Sequence, residues 1–283
     1  MIISCQFIRE SCSPKTTSNG SFSTHRLEIF LPHRHQCGLA VHVGRLRDSL
    51  SLPSAEQRHP ALMNAIFLWA CYLSRPGSLS QYEQLYLART TAALGDALQY
   101  TSKAVDLIQA CCLLSVYYIS NGRLLEGSYY SAAASTLAVQ CRLHQIGSEN
   151  QLNVLDNWDA SFELPVPKDN IERGERITTF WQVYNLDRCW SVMLRRPATL
   201  PDSDHPWASI TTPWPQRIED YENVSSCRSL YIIDFLTSRA YTGRARRQWR
   251  FANHSRIFRP ASAVYLIDGF HYRRFASEGL CAV

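Results

Sequence analysis

Apolar residues recur at intervals of three and four positions in five stretches of the chain. This spacing places them on one side of an α-helix, because a helix turns once in about 3.6 residues. Pro76-Gly77 and Asn121-Gly122 interrupt the pattern, since Pro cannot continue a helix and Gly frees the backbone. The pattern predicts helices over residues 61–74, 80–98, 103–120, 123–144 and 171–195.

Two of the predicted helices are unusual in their side chains. Helix 103–120 is apolar almost all round, so we expect it to be the central, buried helix. Helix 123–144 has small residues that would let a neighbouring backbone approach closely, namely Gly127, Ala132, Ala133, Ala134 and Ala138. No run alternates between apolar and polar residues over a useful length. The predicted fold class is all-α: a bundle of at least five helices around a central buried helix, with long irregular loops and flexible termini.

The segments outside these helices are polar or rich in proline. Residues 1–26 are rich in Ser and Thr and are predicted to form a flexible arm, followed by loop and short helix over residues 29–48. Residues 147–170 contain Gly, Asn, Asp and Pro and are expected to form a long surface excursion. Residues 201–215 combine Pro with aromatic residues and are expected to be extended.

The composition and the charge distribution narrow the class of protein. Of the 283 residues, 46% are hydrophobic and 19% are charged, which is typical of a globular chain with an ample core. The net charge of +5 comes from residues 221–283, which hold ten Arg, no Lys and four acidic residues. The rest is almost neutral, which argues against a general positive field for nucleic acid or membranes. We single out a polyanion contact or nuclear-localisation run that comprises Arg244, Arg246, Arg247 and Arg250.

Motifs for chemistry are missing from the sequence. The ten cysteines are scattered, and several lie in apolar helical stretches, so we expect reduced core residues. There is no leader pattern and no apolar stretch of the ~18 residues that a membrane span needs, so we expect a soluble, intracellular chain. Without motifs for a nucleophile, a phosphate-binding loop or a dinucleotide, we predict no enzyme, no catalytic residue and no cofactor. His33, His35 and Cys37 lack a fourth ligand, so no metal site is predicted.

The fifth predicted helix carries charge in an enclosed position. Large apolar side chains point in nearly every direction around it, and Asp187 and Arg188 lie among aromatic residues in its middle. A buried carboxylate without a partner is costly. We therefore expect Asp187 to belong to a structural pair or hydrogen-bonded network that fixes how helices dock, with its counter-charge from another segment.

This helix and the turn after it carry a family resemblance, through Phe180, Trp181, Asp187, Arg188, Arg196 and Pro197. Together with residues 30–35, 59–66, 126–130 and 143–144, they resemble the fungal-specific, or xylanolytic-activator-type, regulatory domain. In fungal transcription factors this domain follows the binuclear zinc cluster. The resemblance spans about residues 27–215. Arg142 and Arg195 replace two glycines that are usual in the family, and no zinc-cluster cysteine pattern precedes the domain.

The resemblance implies transcription regulation in the nucleus, with a helical domain at residues 27–218 that mediates regulation, dimerisation or effector response. The implied partners are a second copy of the chain, coactivator or corepressor proteins and a small-molecule effector, but no membrane. DNA would be reached only through a zinc-cluster module, and zinc is expected only there. Residues 219–283 are interpreted as a basic tail of uncertain fold. Because a splice-donor sequence can encode Val224-Ser225, we hypothesise that this tail is a translated intron. The alternative function is an all-α interaction scaffold that works without DNA.

Overall fold

The computed structural model of the protein describes residues 19–39, 41–97, 103–147, 164–200, 205 and 208–222. Within these ranges the chain forms seven α-helices and no β-strand, which confirms the all-α prediction. The helices are α1 (Asn19–Phe30), α2 (Val43–Asp48), α3 (Pro60–Leu73), α4 (Glu83–Ala97), α5 (Ala104–Ser120), α6 (Leu124–Gln140) and α7 (Asn170–Leu194). Short 3₁₀-helices include Leu31–His33, Ser78–Tyr82, Leu143–Gln145 and Ile218–Glu222.

The five predicted helices correspond to α3–α7, with different ends in two cases. The predicted start at Ser80 is wrong for an α-helix, because the Ser80 hydroxyl donates to Gly77 O (2.7 Å) and residues 78–82 form a 3₁₀-helix instead. The predicted end at residue 144 is also wrong. α6 ends at Gln140, and Arg142 then adopts a left-handed conformation with a φ of 53°.

α1 occupies part of the segment predicted to be a flexible arm. The prediction placed residues 1–26 in that arm, whereas the helix begins at Asn19. Side chains near the end of α1 anchor it in the core. Leu27 and Phe30 are fully buried, and Leu31, directly after the helix, is also buried in the core. Apart from Phe22, the α1 residues before Leu27 are polar or small, so the apolar pattern is too short to reveal the helix.

Two clusters of buried apolar side chains form the core. The first lies among α1, α3 and α5 and includes Ile66 and Leu113. The second lies among α5, α6 and α7 and includes Ile108, Ala134 and Phe180. α5 contributes to both clusters, because its buried residues face both sides. This helix therefore lies between the two parts of the core.

The chain after residue 208 packs over α7, and we call residues 208–222 the strap. Tyr221 of the strap is buried, and its ring lies against Gly174 of α7. A Cβ atom at position 174 would lie only 2.6 Å from Tyr221 Cγ, so only glycine fits beneath the ring. The Glu222 carboxylate pairs with His42 Nε2. The strap thus joins α7 to the segment before α2.

α6 approaches its neighbours closely, as its small residues predict. The Gly127 carbonyl accepts a hydrogen bond from Ser115 Oγ of α5 (2.7 Å), and the same hydroxyl accepts one from Trp190 Nε1 of α7 (2.7 Å). A Cβ atom on Gly127 would lie 2.7 Å from Trp190 Cζ2 and 3.0 Å from Ser115 O. Trp190 is fully buried. Gly127 therefore sets the distance between three helices.

Replacing Gly127 with Ala should lower the free energy of unfolding by about 1 kcal/mol. The gain in helix propensity, about 1 kcal/mol, is smaller than the ~1–3 kcal/mol cost of overpacking against a buried Trp ring. The matched control is Gly95→Ala in α4, where a new Cβ atom meets nothing within 4 Å. That substitution should raise the free energy of unfolding by about 0.5–1 kcal/mol. Urea titration measures the free energy of unfolding of both variants. Equal changes in the two variants would contradict a close contact between Gly127 and Trp190.

Candidate functional site

α7 ends in a tight turn, which we call the arginine–proline turn (residues 195–197). Arg195 caps the helix in the left-handed conformation, with a φ of 51° and a ψ of 45°. Arg196 N donates to Ser191 O (3.1 Å), and Ser191 Oγ donates to Arg196 O (2.6 Å). These bonds direct the chain back along α7, so that Thr199 and Leu200 reach the side chain of Asp187.

Asp187 is almost fully buried and holds the chain after this turn. Its Oδ1 accepts from the Thr199 N–H and its Oδ2 from the Leu200 N–H, each at 2.9 Å. The predicted counter-charge from another segment is wrong, because within the described residues Asp187 forms no ion pair. Two backbone N–H groups satisfy the carboxylate instead. Asp187 therefore fixes a turn next to its own helix rather than the docking of two helices.

Arg188 also binds the backbone of Leu200. Its Nη2 donates to Leu200 O (3.2 Å), and its guanidinium lies over the Tyr184 ring, 4.6 Å from the centroid. Asp187 and Arg188 thus bind the N–H and the carbonyl of Leu200. Because the Leu200 side chain belongs to the second core cluster, the two charged residues position an apolar group in the core.

The aromatic residues of α7 connect the core to the strap. Phe180 is fully buried and contacts Trp181 edge to face. Trp181 Nε1 donates to Pro213 O (2.6 Å), and its ring stacks on Trp214 with the centroids 4.2 Å apart. The structure therefore gathers Asp187, Arg188 and Arg196 at the turn, while Phe180 and Trp181 lie further along α7 and Pro197 is exposed.

The two arginines that replace family glycines lie at unusual backbone positions. Arg142 and Arg195 have φ values of 53° and 51°, and they are the only non-glycine residues with positive φ in the described part of the chain. A Cβ atom makes this conformation unfavourable by about 1–2 kcal/mol. The left-handed backbone conformation explains why glycine is expected at both positions. This chain adopts the same conformation with arginine, despite the strain.

Arg195→Gly should raise the free energy of unfolding by about 1 kcal/mol, because glycine removes the strain at positive φ. The Arg195 side chain is exposed, so its loss removes no packing. Arg89→Gly provides the control, since Arg89 is exposed in the middle of α4 and glycine there should lower the free energy of unfolding by about 1 kcal/mol. Thermal unfolding measures both. A loss of stability in both variants would show that Arg195 is not strained.

We did not predict from the sequence a buried ion-pair cluster, which we call the Arg58 node. Arg58 Nη1 lies 3.0 Å from Asp106 Oδ1, and Nη2 lies 2.6 Å from Glu175 Oε1. Both carboxylates are buried, and each also accepts a backbone N–H at 2.8 Å, from His59 and His42 respectively. Burial lowers the pKa of Arg58, but the two carboxylates raise it by more, so the guanidinium stays charged. The node joins the segments before α2 and α3 to α5 and α7.

The described residues hold no arrangement suited to metal binding, since no three His, Cys, Asp or Glu side chains among them come close enough together. The described cysteines are free, and burial raises the pKa of Cys111 to about 12, which keeps this thiol protonated. A cavity lined in part by His144 and Phe180 has a volume of about 10 Å³, enough for one water molecule at most. In the part of the chain that the structure describes, no helix has the length and apolar character to cross a membrane.

The basic run predicted to contact polyanions lies outside the described residues. Its four arginines, Arg244, Arg246, Arg247 and Arg250, follow the last described position at residue 222. Their role as a polyanion contact or nuclear-localisation run stays a prediction.

The fold and the arginine–proline turn together define an all-helical domain in which polar groups of α7 hold the backbone of Thr199 and Leu200. A sequence model described as the fungal specific transcription factor domain matches residues 24–232, which is more than half of the chain. The chain belongs to this family, and the resemblance inferred from α7 is confirmed. No curated protein and no solved structure matches it. The family is a transcription regulatory domain, so the chain has a role in the regulation of transcription.

Proposed function

We propose that the chain acts in the nucleus as the regulatory domain of a zinc-cluster transcription factor. In this proposal a zinc-cluster module binds zinc and contacts DNA. The helical domain mediates regulation through contacts with a second copy of the chain, a coactivator or a corepressor. Membership of the family carries the proposal. The α7 motif supports it, because its polar groups hold the fold and Leu200 in place.

Protein partners have better support than a small-molecule effector. The cavity beside Phe180 has room for one water molecule at most, so an effector would need another site. Large apolar side chains are exposed at several points of the surface, including Leu125, Tyr129 and Val192. Such groups suit contacts with other proteins better than contacts with water.

A tethering experiment tests the proposal. The full chain is fused to an unrelated DNA-binding domain, and transcription of a reporter gene with the matching site is measured in a fungal host. We expect the fusion to change transcription severalfold relative to the DNA-binding domain alone. Asp48→Ala should leave the effect intact because Asp48 is exposed, whereas Asp187→Ala, which removes a buried carboxylate and destabilises the domain, should reduce it.

A localisation experiment, combined with the reporter, separates the regulator from the DNA-independent scaffold. A fluorescent fusion of the chain should accumulate in the nucleus, and replacement of Arg244, Arg246, Arg247 and Arg250 with Ala should reduce that accumulation. A scaffold that works outside the nucleus predicts cytoplasmic fluorescence and an unchanged reporter. That pair of results would overturn the proposal.

A further inference from the structure

α1 and α4 together present a surface of arginine and aromatic side chains, which we call the Arg26–Arg89 surface. The Arg26 guanidinium lies over the Tyr82 and Tyr86 rings, 5.7 Å and 5.2 Å from their centroids. The Arg89 guanidinium lies 5.8 Å from the centroid of the same Tyr86 ring. Phe22, one helical turn before Arg26, is 60% exposed. The surface thus combines two cations with exposed aromatic groups.

Neither cation has a carboxylate partner. Within the described residues, Arg26 and Arg89 form no ion pair, and Arg26 Nε is buried without a hydrogen-bond acceptor. Arg47 and Arg123 differ in this respect, since Arg47 pairs with Glu28 and Arg123 pairs with Glu126. A cation–π contact leaves the N–H groups at the edge of a guanidinium free to donate. Arg26 Nε is too buried to reach a ligand, so the donors that this surface offers to a negatively charged group are the terminal Nη groups of Arg26 and the guanidinium of exposed Arg89.

Exposed side chains with apolar character share a helical face with Arg89. Leu85, four residues before Arg89 on α4, is 44% exposed, and Tyr82, at the end of the 3₁₀-helix before α4, is 39% exposed. Exposed apolar groups around cations favour a ligand that brings carboxylates and apolar side chains together. Two arginines provide little positive charge for binding a nucleic acid, because proteins that bind nucleic acids contact many phosphates.

We infer that the Arg26–Arg89 surface docks an acidic peptide segment of a partner protein that carries aromatic or aliphatic residues beside its carboxylates. This inference rests on the proposed function and names the chemistry of its protein partner. The two guanidinium carbons lie within about 11 Å of each other, since each lies close to the Tyr86 centroid. Acidic residues two positions apart in an extended peptide point to the same face and lie about 7 Å apart, which is within this limit.

Binding of a synthetic peptide to the full chain tests the inference. The probe is a short fluorescein-labelled peptide with two acidic residues two positions apart and Leu and Trp at the next alternate positions, so that an extended peptide presents all four on one face. Binding is followed by fluorescence anisotropy. Arg89→Ala and Arg26→Ala should each weaken binding about tenfold, because each removes one charged hydrogen-bond donor. Leu85→Ser should also weaken it. The matched control is Arg123→Ala, which removes an exposed arginine that lies over the Tyr118 ring but already pairs with Glu126, and it should leave affinity unchanged.

Several results would overturn the inference. Equal losses in Arg89→Ala and Arg123→Ala would indicate general attraction to positive charge, and so would equal binding of a peptide with Asn and Gln in place of its acids. A duplex DNA that displaces the peptide would assign the surface to nucleic acid. Loss of a dimer in Arg89→Ala, measured by sedimentation, would assign it to a second copy. Melting temperature separates these outcomes from unfolding, and exposed Arg89 should change it little.

The tethered reporter distinguishes this inference from the proposed function. If the wild-type fusion regulates the reporter and the Arg89→Ala fusion regulates it equally, the docking surface is wrong and the proposed function stands. If the wild-type fusion has no effect, the proposed function fails whatever the peptide does. We expect regulation by the wild type and by Arg123→Ala, and a clear reduction in Arg89→Ala.

Discussion

Replacing Arg58 with Met should lower the free energy of unfolding by about 3–5 kcal/mol, because it leaves two buried carboxylates without their cation. Asp106 and Glu175 are 5% and 4% exposed, so water cannot replace the guanidinium. Met keeps most of the volume of the Arg side chain, so the loss reports charge rather than a cavity. Urea titration of the full chain measures the difference, which is a large share of the ~5–15 kcal/mol stability of a typical domain.

A charge-neutral variant is the control for this prediction. When Arg58→Met is combined with Asp106→Asn and Glu175→Gln, no unpaired charge is left in the Arg58 node. We expect the triple variant to recover at least half of the lost stability, because removal of all charges from a buried cluster is much less harmful than removal of one partner. A triple variant as unstable as the single one would show that the geometry of the node, and not its charge, stabilises the fold.

Asp187→Ala should lower the free energy of unfolding by about 2–4 kcal/mol. The substitution leaves the N–H groups of Thr199 and Leu200 without an acceptor, and a buried unsatisfied donor costs about 1–3 kcal/mol. Leu200 would lose its anchor in the second core cluster. Thermal unfolding should show a melting temperature lower by about 5–15 °C. Asp187→Asn tests the charge, because its amide keeps one acceptor oxygen but turns a donor towards the second N–H group.

The control for this prediction is Asp48→Ala, since Asp48 is exposed and should change stability by less than about 0.5 kcal/mol. Trp190, three residues after Asp187 on α7, gives an independent signal. We expect its emission to shift to longer wavelength if the arginine–proline turn opens and water reaches the ring. Unchanged stability in Asp187→Ala would mean that the turn holds without the carboxylate.

The spacing of apolar residues located the long helices, because each helix packs one apolar face against the core. It predicted α3, α5 and α7 almost to their ends. α1 was missed, since Leu27 and Phe30, which carry its described buried side chains, lie near its end and form too short a pattern. The end of α6 was harder to predict, because it depends on the conformation of the turn that follows. Arg142 in that turn has a positive φ, which arginine does not favour.

The polar contacts were harder to predict because they join distant parts of the chain. Asp187 was identified as a buried structural residue, but the sequence suggested a cation as its partner, whereas the partners are backbone groups 12 and 13 residues away. Arg58 is 48 residues from Asp106 and 117 from Glu175, so no helical spacing relates them. A clue was present in Asp106, which lies at the start of a helix that is otherwise apolar.

The contact between Tyr221 and Gly174 constrains how related sequences can diverge. Because the Tyr221 ring occupies the space of a side chain at position 174, a larger residue there requires a smaller one at position 221. Among homologues the two positions should therefore covary: glycine should accompany a large aromatic residue, and alanine or serine should accompany a residue with a smaller side chain. Independent variation at the two positions would show that their strap segments follow a different path.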